Sequence, residues 1–475
     1  MIWSALDNII SKGAQLSIGI ILARILMPSD FGLIAMLSVL ITISQVFIDS
    51  GMASGLIQKR NKEERDYSTV FIFNFVISVT LYLLLYALAP LVASFYKMPQ
   101  LITLTRVLSF NIIINSLAIV QRSIFVAKID FRSIAKVNVI STIIGGGIAI
   151  YCAYIGLGVW SLVIHMISKS IISVIILMYL STWKPKLLFS AKSFKELFGF
   201  GSKLLISALL SQVYNNVYNI TIGKVFAPSI LGYYTRAVSF AELTSGTVAS
   251  IIHQVTYPIL ASLQDDKVKM ISVYRSLIKV TSFIIFPTMT LLALLADSIV
   301  RVLLTDKWLA IVVLLQWMSF IRVFYPISVI NLNILNAIGR SDLFLKVDLS
   351  KLPISIITLS ITIPLGIEAM VVGQAITTII SFAINAYLPG KLFGYGAIQQ
   401  INDMMKAFIS TIIMAECVYI IISLVEYPIA KIFLGIISGI IAYIIMAIVL
   451  KVEELSEVKY FVEKIFKAKN DINTQ

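Results

Sequence analysis

Six basic side chains sit where an apolar chain should not carry them. Arg322, Lys12, Lys169 and Arg236 lie within long apolar runs, and Arg24 and Lys224 lie near the ends of such runs. An ionisable group in hydrocarbon is costly and faces a cavity, a partner or an interface. Cations so placed suit phosphate oxygens and sugar hydroxyls, to which they donate charge-assisted hydrogen bonds. Arg322 is the sharpest case. It lies roughly 20 Å into its run at 1.5 Å per helical residue, and Pro326 follows one turn later, where it should kink a helix. A structural ion pair is the rival reading of Arg322. Lys169 has His165 four residues before it, on the same helix face, and helix packing is its main rival role. Arg24 and Lys224 could equally snorkel to lipid headgroups.

Acids are scarcer in these runs: Asp7, Asp49 and Glu242. Glu242 could pair with a basic residue or carry a coupling proton. Gln212, Asn215, Asn216 and Asn219 form one polar stripe, and Asn111, Asn115 and Gln121 form another. Amides suit hydroxyl-rich ligands. They also bond between helices, at about 0.6 kcal/mol each. Gly145-Gly146-Gly147 reads as close helix packing.

No catalytic constellation accompanies these residues. There is no glycine-rich phosphate loop with lysine, so no ATPase is expected. Two cysteines and two histidines offer neither a disulfide framework nor a metal cluster. No cofactor is expected.

The elements that hold these residues follow from composition. The chain has 475 residues, 59% hydrophobic and 13% charged, against about 25% charged in soluble chains. The solvent must therefore be lipid. A formal charge of +14 could point to nucleic acid. Here the basic residues fall in short gaps between apolar runs, so orientation in a membrane is the better reading and no nucleic-acid partner is expected. A ruler of about 20 apolar residues per crossing gives about 14 transmembrane helices. With the N-terminus inside, alternate gaps collect most of the cations, Lys59, Lys195 and Lys279 among them. Both termini are thus expected in the cytoplasm. Asp7 and Lys12 interrupt the first apolar run, which argues against a cleaved signal peptide. The outer gaps are too short for an enzymatic domain. Residues 183–200 and 451–475 read as amphipathic segments on the inner membrane surface, the first through Phe194, Leu197 and Phe198, the second through Val452, Leu455, Val458, Val462 and Ile465.

An internal repeat has an offset of about 200 residues. Arg24-Ile-Leu-Met-Pro28-Ser29-Asp-Phe-Gly32 recurs as Lys224-Val-Phe-Ala-Pro228-Ser229-Ile-Leu-Gly232. Leu157-Gly158-Val159 likewise recurs as Leu365-Gly366-Ile367. An even number of crossings separates the copies, so they share one orientation, as in transporters built from parallel repeats. Locally, Pro-Ser-x-x-Gly is a tight turn.

The first turn, Ala23-Arg24-Ile25-Leu26-Met27-Pro28-Ser29-Asp30-Phe31-Gly32, has the form A-R-x-L-x-P-x-x-[FY]-G. With two six-helix halves and an extra helix pair, the chain resembles the multidrug/oligosaccharidyl-lipid/polysaccharide superfamily. Within it, the chain looks like polysaccharide exporters of the Wzx type, in the colanic-acid and teichuronic-acid branch. The resemblance implies an all-α polytopic fold: a lobe at 1–182, a linker at 183–200, a second lobe at 201–390, an extra pair at 400–450 and a tail at 451–475. It implies a flippase for undecaprenyl-diphosphate-linked oligosaccharide in the bacterial cytoplasmic membrane, working as a monomer by alternating access. Membrane lipids, a polysaccharide polymerase and chain-length machinery would be its partners. By the same resemblance Lys12, on the first helix, would meet a pyrophosphate. The alternatives are a multidrug cation antiporter on this fold, which should favour anionic cavity residues, and a glycan polymerase or ligase, which should need a large outer loop.

Overall fold

The structure, a computed structural model, describes residues 2–49, 52–59 and 62–456. Among them all regular structure is helical. The chain opens with α1 (Ile2–Ile25), α2 (Pro28–Asp49), the short α3 (Met52–Gln58) and α4 (Glu64–Tyr96). Next come α5 (Leu101–Ser116), α6 (Ile119–Ala127), α7 (Phe131–Tyr154), α8 (Val159–Leu180) and α9 (Ala191–Val225). α10 (Pro228–Ser262) passes from a first compact unit, Met1–Thr235, into a second, Arg236–Gln475. The second unit continues with α11 (Lys267–Leu294), α12 (Ala296–Leu303), α13 (Ile311–Ala337), α14 (Ser341–Ser350) and α15 (Leu352–Thr362). It ends with α16 (Ile367–Phe393), α17 (Ala397–Ser423) and α18 (Pro428–Val449).

Among the described residues nine helices are long and apolar enough to cross a bilayer, and α5 with α6 would make a tenth. This is a multi-pass α-helical membrane protein. Fewer helices than the expected 14 meet that measure, and some expected crossings are broken into two helices among the described residues. The apolar run over residues 101–127 is bent by 41° between α5 and α6. There the Leu117 and Ala118 amides bond three residues back, to Ile114 and Asn115 at 3.2 and 3.1 Å. That tighter winding breaks the α-helical ladder. The run near 347–364 is likewise two helices, α14 and α15, meeting at Lys351.

Glycines set the closest approaches in the first unit. A Cβ on Gly145 would lie 3.0 Å from the Lys169 backbone, and one on Gly146 would collide with Ile18. α7 therefore packs tightly on α8 and α1. Gly147 faces open space, so close packing accounts for two of the three glycines. The repeated turns make a contact that periodicity alone does not foretell. Pro28 opens α2 and Pro228 opens α10, each at a position where no amide hydrogen is needed. The Asp30 carboxylate accepts from the Met27 amide at 3.0 Å and so caps the first turn. A Cβ on Gly32 would strike the Pro228 carbonyl, and one on Gly232 would strike the Pro28 carbonyl. The two turns thus rest on each other reciprocally, backbone to backbone.

The segment expected to lie on the inner membrane surface differs from expectation. Its helical part begins at Ala191 and runs unbroken into the following span as α9. The Ser190 side chain caps it by accepting from the Ser193 amide at 3.3 Å. Leu197, with Phe194 and Phe198 beside it, packs on Met52, Leu56 and Val70. Phe73 stands 5.2 Å from Phe194. Protein rather than lipid covers this apolar face, because α3 and α4 present a matching one. Lys59 closes the contact, 3.0 Å from both Asp66 and Glu196. Burial pulls the Lys59 pKa down, but the bonds to these two carboxylates outweigh it and hold the amine above its ordinary value. In the tail Val452 is buried and Leu455 half-buried, while Val458, Val462 and Ile465 lie outside the described residues.

Overpacking at a backbone contact costs about 1–3 kcal/mol. Gly32→Ala and Gly232→Ala should each lower the melting temperature of the detergent-solubilised protein, and Gly147→Ala should leave it unchanged. Equal melting of all three variants would contradict the reciprocal packing.

Candidate functional site

The first unit holds a cavity of about 540 Å³. Its polar lining includes Gln45 from α2, Asn111 and Asn115 from α5, Arg122 and Ser123 from α6, and Ser173 from α8. Ile41, Ile119 and Leu177 supply part of the apolar wall. The bend between α5 and α6 lets both helices contribute. Asn111 is 4% exposed, and its carboxamide oxygen has no hydrogen-bond partner among the described residues. A buried acceptor of that kind calls for a donor. Arg122 donates a long bond, 3.4 Å, to the Asn138 carboxamide. Among the described residues no carboxylate forms an ion pair with Arg122. A cation, amides and hydroxyls against apolar walls can hold an anionic, hydroxyl-rich ligand.

Of the expected site residues, Asn111 and Asn115 line this cavity. Gln212, Asn215, Asn216 and Asn219 do not. They run along α9 and largely serve one another. The Asn216 amide donates to the Gln212 carbonyl at 2.9 Å, and Asn219 donates to Asn216 at 3.3 Å. Lys169 is half-buried on α8, its backbone pressed against Gly145. Lys12 is half-buried on α1, and Arg24 is exposed near the end of that helix. Lys224 has a structural task. Its amine donates to the Phe95 carbonyl and sits 4.2 Å over the Phe95 ring. It thereby serves the last turn of α4, where carbonyls lack helical partners.

The second unit brings two more expected residues together. Arg322 Nη1 lies 2.5 Å from Glu242 Oε2. Of the two roles open to Glu242, pairing is the one seen here, and the pair joins α10 to α13. The Arg322 guanidinium also stands 5.4 Å from the centre of the Tyr325 ring. A smaller cavity, about 240 Å³, continues beside Tyr325 and is lined by Gly246, Ser250 and His253. Arg236 is half-buried on α10. The side chains of Asp7 and Asp49 lie outside the described residues.

Sequence reasoning passed over several of these groups. Arg122 is one, although Gln121-Arg122-Ser123 on a nine-residue helix is a usable signal. Gln45, an amide within an apolar run, carries a similar one. A polar network at one end of the second unit was also missed. Tyr274 donates to Asn331 at 2.5 Å, Asn331 donates to Gln400 at 3.1 Å, and Gln400 returns a bond to Tyr274 at 3.1 Å. Beside it Arg275 grips Asp403 with two bonds, 2.5 and 2.7 Å, and Tyr395 donates to the same carboxylate at 2.8 Å. Lys279 reaches Glu453 at 3.0 Å. The hydrogen bond from Lys279, the largest influence, holds that carboxyl below its ordinary value. Gly435 and Gly439 seat α18 against Leu295 and Leu291. The extra helix pair is thus bound firmly into the second unit.

Comparison with known proteins agrees with this architecture. A family model described as polysaccharide biosynthesis protein matches residues 21–313. The teichuronic acid biosynthesis protein TuaB of Bacillus subtilis (strain 168) is 24% identical over 373 residues, 78% of this chain and 77% of that protein. The lipopolysaccharide biosynthesis protein WzxC of Escherichia coli (strain K12) is 22% identical and aligns over 86% of this chain and 79% of its own. Among solved structures, the lipid II flippase MurJ in an inward closed conformation superposes with a TM-score of 0.77 at 18% identity, over 95% of this chain and 98% of that one. That likeness speaks for the fold alone. Its helical architecture, its matched residues and its relatives agree: the chain belongs to the polysaccharide biosynthesis protein family.

Proposed function

We propose that this chain is a flippase that carries undecaprenyl-diphosphate-linked oligosaccharide repeat units from the inner to the outer leaflet of the bacterial cytoplasmic membrane. The observation that carries the reading is the cavity whose lining holds both Arg122 and Asn111, with its unpartnered oxygen, among apolar walls. A glycan crossing hydrocarbon loses water from every hydroxyl, and burying such groups without replacement bonds is costly. Amides and a guanidinium supply those bonds. Relatives named for polysaccharide synthesis support the same reading, as does the succinoglycan biosynthesis transport protein ExoT of Rhizobium meliloti (strain 1021), 26% identical over 306 residues.

On this reading the chain works by alternating access, as a monomer and as a transporter rather than a polymerase or ligase. A polysaccharide polymerase and chain-length machinery take its product. Lys12, Lys169, Arg236 and Arg24 remain candidate contacts for the anionic headgroup, and Asn115 joins Asn111 as a hydroxyl ligand. Both termini are cytoplasmic. The 3.0 Å contact of Lys59 with Glu196 supports that topology, since it puts two gaps assigned to the cytoplasm on one side. Cysteines replacing Lys59 and Lys195 should both react with an impermeant label only from the cytoplasmic face. Labelling from opposite faces would overturn the topology.

Surface polysaccharide in a deletion strain tests the transport reading. Losing a charge-assisted bond removes about 1.5–3 kcal/mol, so Arg122→Ala should cut export about tenfold or more. Arg322→Ala should impair it strongly, and Arg322→Lys should retain part of it. Full export by both alanine variants, at matched protein level, would remove these cations from the substrate path.

A further inference from the structure

The Arg322–Glu242 pair is only partly enclosed. The two side chains keep 25% and 42% of their surface exposed. Exposure alone does not mark a site, since Lys279 and Glu453 fasten two elements at 23% and 74%; what sets the Arg322–Glu242 pair apart is the cavity beside it. Its surroundings suit exchange. Tyr325 keeps its ring 5.4 Å from the guanidinium, a contact that does not depend on the carboxylate. Glu242 lies folded over the bare backbone of Gly246, where a Cβ would come within 2.5 Å of its Oε1. Beyond Gly246 the same faces of α10 and α13 line the 240 Å³ cavity, with the Ser250 hydroxyl and the His253 imidazole in its wall.

An arginine away from bulk water cannot simply lose its anion, because an uncompensated charge there is strongly unfavourable. It can exchange one anion for another. Carboxylate and phosphate oxygens fit the same planar donor fork. We infer that Glu242 is an internal stand-in for an anionic ligand group, holding Arg322 until a diphosphate displaces it. The identity of the diphosphate rests on the flippase reading above. The exchange itself rests on the pair, its exposure and the cavity beside it. Glu242 is then a positioning residue: it keeps Arg322 in place and sets how tightly the ligand is held, so that the ligand can also be released.

Equilibrium binding to the purified full-length chain in detergent tests this, with farnesyl diphosphate and inorganic pyrophosphate as separate probes. Glu242→Gln should tighten diphosphate binding about tenfold, a change of about 1.4 kcal/mol. Arg322→Gln and the double variant should both bind weakly and alike. Tightening with farnesyl diphosphate alone assigns the site to a lipid-linked headgroup, and tightening with both probes assigns it to the diphosphate itself. If Glu242→Gln weakens binding as much as Arg322→Gln does, the pair is structural and the inference fails. Should Glu242→Gln not fold, Glu242→Asp, whose shorter arm holds the guanidinium less closely, should still tighten binding. Unchanged or weaker binding by that variant would overturn the exchange. Export by the wild type in the deletion strain reports separately on the flippase reading. Export without tightening sinks only the exchange, and tightening without export sinks only the flippase.

Discussion

A peptide group in hydrocarbon has no water to bond, so a chain this apolar crosses the bilayer as helix, with each amide and carbonyl satisfied within its own segment. That constraint shapes what remains free to vary. Between helices in lipid the hydrophobic effect offers little drive, and close approach at small residues takes its place. Gly145 and Gly146 let α7 meet α8 and α1, Gly435 and Gly439 seat α18 on α11, and Gly32 and Gly232 let two turns meet at their backbones. Polar side chains in the spans then stand out, since each must find a partner or a cavity.

The cations divide between those two fates. Lys59, Arg275 and Lys279 meet Glu196, Asp403 and Glu453, each far along the chain, and fasten one element to another. Lys224 serves the end of α4. Arg122 opens onto a cavity, and Arg322 holds a partner that is itself half exposed. Solvation decides the difference. A pair at the watery end of a helix can be permanent at little cost, whereas a cation facing a cavity within a span remains available to a ligand.

Fold class and helix positions were legible in the sequence because they follow from local runs of apolar residues. The duplicated turn was legible because two copies can be compared without knowing where either sits. Asn111 and Asn115, which line the cavity of the first unit, stood out because an amide in an apolar run is conspicuous. Partnerships were not legible. Arg275 meets a carboxylate 128 residues away, and nothing local in either segment names the other. Residues 183–200 were read as one amphipathic segment, of which the part from Ala191 on is helix. The same pattern suits lipid or a neighbouring helix, and only the complementary face of α3 and α4 decides between them. Arg122 escaped notice for a related reason: a rule that sorts cations by membrane side says nothing of what each one lines.

The most direct measurement reconstitutes the purified chain in vesicles carrying a fluorescent undecaprenyl-diphosphate-linked oligosaccharide, with an impermeant reductant quenching only the outer leaflet. A flippase makes the inner-leaflet pool accessible, so quenching should pass the outer-leaflet fraction and proceed toward completion, more slowly with Arg122→Ala. Quenching that halts at the level of protein-free vesicles would contradict the account.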